Sequence, residues 1–138
     1  MDDPQMHETA AILRTIPGGN ALLDWFRGPP EFGDAEVIEL RLDRAGTSLL
    51  RLALTGRDGG PAITCTFHLK DMVDVTLQGF SHQNVVRGLY LRHAAKGDVH
   101  PTLRGVGLVY ADHEIELEPL AGAFGLIRAT IERVALSS

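Results

Sequence analysis

Two stretches decide the fold: Glu36-Val37-Ile38-Glu39-Leu40-Arg41-Leu42-Asp43 and Ser48-Leu49-Leu50-Arg51-Leu52-Ala53-Leu54-Thr55. In the first, Ile38, Leu40 and Leu42 fall on one side and Glu39, Arg41 and Asp43 on the other. In the second, Leu50, Leu52 and Leu54 share a side. Period two is the signature of a half-buried strand. The intervening Arg44-Ala45-Gly46-Thr47 has turn chemistry, so the pair predicts a β-hairpin.

The same alternation continues outward. Ile63, Cys65, Phe67 and Leu69 alternate with Thr64, Thr66, His68 and Lys70, after a turn at Arg57-Asp58-Gly59-Gly60-Pro61. Val73, Val75 and Leu77 predict another short strand beyond a bend at Asp71. Gly79–Asn84 reads as a connection and Val85–His93 as a strand with Val85, Leu89 and Leu91 inward. Ala94–Thr102 reads as a loop. Val106, Leu108 and Tyr110 make a strand, and Ile115 with Leu117 another. This pattern gives about seven or eight short strands.

Upstream, Ala10, Ala11, Leu13 and Ile16 suit a short helix ended by Pro17-Gly18-Gly19. Asn20 is the expected N-cap of a second helix, stopped by Gly28-Pro29-Pro30. Downstream, Leu120, Phe124, Ile127, Ile131 and Val134 have helical spacing, while Ile127, Ala129 and Ile131 also suit one face of a strand. Both readings of 120–134 stay open. The expectation is one domain over 1–138, with a short helical segment at 1–30 and a mainly β part at 36–138. The class is mainly β, α+β at most, with antiparallel strands in a curled sheet or sandwich.

With 138 residues, 44% hydrophobic and 22% charged, the chain has the means to bury a core. A net charge of −5 opposes a nucleic-acid partner, which favours a basic face. The start Met1-Asp2-Asp3-Pro4-Gln5 lacks the basic residues and apolar run of a secretory signal. No apolar stretch reaches membrane-spanning length. The expected location is the cytoplasm.

Sites of chemistry are sparse. His7, His68, His82, His93, His100 and His113 are scattered without zinc-site spacing. No metal or cofactor is expected. Cys65 alternates with core residues and reads as a buried thiol. Ser81-His82 is no nucleophile–base pair, and Gly105-Val106-Gly107 lacks the rest of a phosphate loop. Glu114, Glu116 and Glu118 form an outward acidic stripe at period two. They are the candidate partner-binding residues, suited to a basic surface.

The stretch Trp25-Phe26-Arg27-Gly28-Pro29-Pro30-Glu31-Phe32-Gly33-Asp34-Ala35-Glu36-Val37 packs aromatics, prolines and acids around a strand entry. Asp34 is expected to brace that turn by accepting backbone N–H bonds. Together with Gly79-Phe80-Ser81-His82-Gln83-Asn84-Val85-Val86-Arg87-Gly88-Leu89, it resembles immunity protein family 50, whose bacterial members neutralise toxins of polymorphic secretion systems. The residues carrying the resemblance are Trp25, Phe32, Asp34, Glu36, Phe80, His82, Gln83 and Asn84, and it extends from Ile16 onward. Gly33 stands where members often carry histidine.

The resemblance implies a non-enzymatic inhibitor that binds a cognate toxin, and it draws the final segment towards strand. Trp25, Phe32 and Phe80 are expected to be structural. A small-ligand-binding or regulatory β module is the alternative. A metal-dependent hydrolase is third and requires Asp34, Glu36 and His82 to converge.

Overall fold

A computed structural model describes residues 3–43, 47–56, 62–94, 99–101 and 108–137. Its elements are α1 (Pro4–Thr15), α2 (Gly19–Phe26), β1 (Glu36–Arg41), β2 (Ser48–Leu54), β3 (Ile63–Gln78), β4 (Val85–His93), β5 (Val99–Pro101), β6 (Leu108–Tyr110), β7 (His113–Ala121) and β8 (Phe124–Ser137). The mainly β class holds. The sheet closes into an antiparallel six-stranded barrel ordered β1-β2-β3-β8-β7-β4, with β5 and β6 as a separate hairpin. Closure leaves less free strand edge than an open sheet or sandwich would.

Alternation places Leu50, Leu52, Cys65, Phe67, Leu69, Leu89, Leu91, Ile115 and Ile127 in the interior, all essentially inaccessible. Each such side chain contributes about 1.5–3 kcal/mol on burial, so this filled interior dominates the stability. Burial pushes the Cys65 thiol up to about 12, which leaves it unreactive and part of the core.

The seam between β1 and β4 is the thin one. Only Glu36 and Val85 pair as strand residues. Around them Asp34 N–H donates to Val86 O, Val86 N–H to Ala35 O and Val37 N–H to Asn84 O. Past this point α1 takes over from a neighbouring strand. The Leu91 N–H donates to the buried hydroxyl of Thr9 at 2.9 Å, while that hydroxyl donates to Gln5 O. Thr9 thereby satisfies a strand donor with a helix side chain.

Several expectations are corrected. Ile38 is 48% exposed and Leu42 58% exposed, although both were expected inward. A register shift between Val37 and Glu39 adds one residue to β1, which reverses the phase and turns Val37 into the core. β3 runs unbroken through the bend at Asp71, whose φ is +50. From Lys70 to Asp74, β3 advances four residues while β8 moves two, from Thr130 to Arg128. Similar shifts in β4 bury Val86 and leave Val85 half-buried. The segment expected to be all loop contains β5, paired with β6.

At the N-terminus, α2 starts at Gly19 with Gly18 as its N-cap, ahead of the expected Asn20. The segment 120–134 is strand, not helix, from Phe124. The turns at Arg44–Gly46 and Arg57–Pro61, the core of the loop at Lys96-Gly97-Asp98, the Val106 strand position and Gly105-Val106-Gly107 lie outside the described residues. Among the described helices none is long and apolar enough to cross a membrane.

Candidate functional site

Asn84 organises one end of the barrel. Its side-chain oxygen accepts the N–H groups of Ser81 at 3.0 Å and Ala123 at 3.1 Å, and its amide donates to Ser81 O. Its backbone oxygen accepts from Val37. The Ser81 hydroxyl donates to Gln83 O and accepts from the Gln83 N–H. The Asn84 side chain thus ties the β3–β4 loop to the β7–β8 turn, and its backbone carbonyl ties it to β1.

This bonded loop displays Phe80, 52% exposed, with His82 and Gln83 also exposed. Leu120, 51% exposed, precedes Ala121, the partner of Val85, and Ile38 follows the Val37 bonded to Asn84. Three large apolar side chains therefore stand outward beside the anchors of one hub. The structural role expected for Phe80 is corrected: it packs no core, and the loop holds its shape through Ser81 and Asn84. An exposed aromatic side chain on a hydrogen-bonded loop is available to anchor a partner.

The Trp25–Val37 stretch forms a second feature. Half-buried Trp25 meets Phe26 edge-on at 5.1 Å, Phe26 meets Phe32 at 5.0 Å, and Phe32 meets Phe67 inside the barrel at 6.3 Å. An aromatic chain thus runs from surface to core, with Phe32 fully buried as expected. Beside it lies a groove of about 290 Å³ lined by Trp25, Glu31, Phe32, Asp34, Leu54 and Thr55, among others. Asp34 holds φ +71, and its carboxylate makes no hydrogen bond among the described residues, contrary to the bracing role expected of it. Its backbone N–H does the bracing instead, on Val86 O.

Glu114, Glu116 and Glu118 do lie on one strand face, but they are not a stripe of unrelieved repulsion. Arg92, directly across from Glu114 on β4, bonds both Glu114 at 2.7 Å and Glu116 at 2.8 Å. Arg128 on β8 bonds Glu114 at 3.0 Å and Asp74 at 3.1 Å. This cross-strand network spends two of the three acids within the fold. Glu118 carries no ion pair among the described residues and faces Gly88. There the Tyr90 ring lies over Gly88, where a Cβ would come within 2.5 Å of its hydroxyl oxygen. Burial pushes the Tyr90 phenol up, and the negative field of Glu118, Asp3, Glu116 and Glu31 adds to it.

No protein-family model, curated protein or solved structure matches this chain. Asp34, Glu36 and His82 do not assemble a metal site, and no group of three His, Cys, Asp or Glu side chains does so among the described residues.

One histidine does have a defined role. Nδ1 of buried His113 accepts the Ile131 N–H at 3.0 Å, and the His93 ring lies 6.2 Å away. Burial holds its pKa below the ordinary value; nearby Asp112 opposes this and His93 reinforces it. His68 is lowered too, by burial and then by Arg133 and Arg51, against Glu132. Below about pH 6.5 the unfolded chain therefore takes up protons that the folded one refuses. Stability is expected to fall as pH drops through that value and to level off only below the folded pKa. Urea unfolding between pH 8 and pH 5, flattened in His113→Gln, checks this; equal slopes in parent and variant would remove His113 as the cause.

Proposed function

We propose that this protein is a toxin-neutralising immunity protein, acting in the cytoplasm without catalysis by direct binding to a cognate bacterial toxin. One observation carries the binding role: Phe80 stands exposed on a loop whose shape is held by Asn84 and Ser81, with Ile38 and Leu120 beside the same hub. A preorganised apolar anchor loses little entropy on association. The toxin as partner rests on the resemblance carried by the two motif stretches. Glu118, with no ion pair among the described residues, and the net charge of −5 suit a basic toxin surface and faster encounter. Glu114 and Glu116 contribute chiefly through the Arg92 and Arg128 network.

Phe80→Ala is expected to leave the melting temperature within about 2 °C, as surface substitutions do. It should weaken the complex with a candidate cognate toxin by about 2 kcal/mol, roughly thirtyfold in Kd. Isothermal titration calorimetry and thermal melts on the same samples check both. An unchanged Kd, or a collapse in melting temperature, would overturn the assignment of this end as the binding surface.

A small-ligand module is the second reading, on one observation: a groove of about 430 Å³ between α1, α2 and Gly28–Pro30, lined by Met6, Arg14, Asn20 and Asp24 among others. The barrel interior itself is filled.

A further inference from the structure

We infer that the groove beside Trp25 receives an arginine side chain of the partner protein, with Asp34 as its carboxylate acceptor. The inference rests on the partner-binding reading and names one contact within it.

The argument starts from Asp34. A left-handed backbone at φ +71 is uncommon for any residue with a side chain, and Asp and Asn tolerate it best. Two backbone bonds hold it there: Asp34 N–H to Val86 O and Ala35 N–H to Phe32 O, both 2.9 Å. The turn therefore fixes the direction of the Asp34 Cα–Cβ bond, and the carboxylate takes no hydrogen bond among the described residues. It lines a groove with Glu31 and the half-buried face of Trp25.

An aromatic wall beside carboxylates selects a cation. Among side chains, the planar guanidinium both stacks on indole and bonds a carboxylate with two parallel N–H groups. Size points the same way. At about 290 Å³ the groove has room for one long side chain. The sign of the wider surface agrees, since Glu31 also belongs to the carboxylates whose field reaches Tyr90.

Trp25 is the single tryptophan of the chain, so its emission reports the groove directly. The experiment titrates the full chain with N-acetyl-arginine amide, and in parallel with the isosteric neutral N-acetyl-citrulline amide and with N-acetyl-lysine amide. We expect a saturable change in Trp25 emission with the arginine compound, reduced by added salt, and none with citrulline. Asp34→Asn keeps the left-handed backbone and removes only the charge. It should weaken the response about fivefold, the upper end for one solvent-accessible ion pair.

Absence of saturation with arginine, equal responses to arginine and citrulline, or an unaltered response in Asp34→Asn would each overturn the site. An equal response to lysine would overturn the guanidinium assignment. The partner is absent from this test, so its failure leaves the Phe80→Ala result standing, and the reverse also holds.

Discussion

Phe32→Ala is expected to lower the unfolding free energy by about 3–5 kcal/mol, the cost of removing a fully buried aromatic ring. Phe32 is 2% exposed and stands between Phe26 at 5.0 Å and Phe67 at 6.3 Å. It is one of the contacts through which the segment before β1, and α2 behind it, adheres to the barrel, beside the Val134 N–H bond to Pro17 O. Its neighbours cannot collapse into the space, because Phe67 is held within β3 by both β2 and β8. A domain of this kind has roughly 5–15 kcal/mol in total, so the variant sits near the limit of folding. Urea denaturation should show a midpoint far below the parent's with an unchanged slope. A loss under about 1 kcal/mol would mean that the N-terminal segment is held by something other than this ring.

Phe32 and Phe80 were singled out by the same kind of reading, and they end on opposite sides of the surface. Local sequence could not separate them. Phe32 precedes a strand whose first residues join the seam with β4. Phe80 lies on a loop whose conformation is set by Asn84 reaching Ala123, a contact between segments distant in sequence. An isolated aromatic before a connection carries no sign of which arrangement applies.

The strands from β2 to β4 were legible because their apolar period is two and their turns carry Gly and Pro. Ile38 was misplaced because one extra residue shifts the phase of β1, and neither glycine nor proline marks the spot. The helical look of the last segment has a similar origin. Between the pairs His68–Arg133 and Leu69–Ile131, Glu132 is an extra residue on β8. The buried apolar positions Ile127, Ala129 and Ile131 therefore step by two, and the next, Val134, follows by three. A strand with a bulge thereby imitates the three-and-four rhythm of a helix.

Of the site, the alternation of Glu114, Glu116 and Glu118 was legible, but not their partners. Arg92 and Arg128 arrive from strands on either side, and only the barrel order makes them neighbours. The two motif stretches contain the Phe80 loop and the Asp34 groove. What they could not show was that Asn84 is the hub and Phe80 the side chain displayed, or that Asp34 lines a groove.

Gly125→Ala is expected to be as damaging as any change in the core, though it adds one methyl group. Gly125 has φ +136, and a Cβ there would lie 1.9 Å from Thr76 O and 3.1 Å from Leu77 Cα. Both obstacles are backbone. Gly125 pairs with Leu77 on β3 and with Leu117 on β7, so β8 has no free side towards which to move. Relief requires either breaking a ladder of the closed barrel or shifting its register, and a one-residue slip would turn β8's apolar set outward. The expected loss is on the order of 3 kcal/mol or more, with lower soluble yield. Gly33→Ala is the matched control: its φ is outside the left-handed range and its nearest obstacle is Arg87 O at 3.3 Å. That variant should stay within about 1 kcal/mol of the parent. Equal urea midpoints for the two variants would show that β8 yields at Gly125, and that the barrel is closed less tightly than its pairing implies.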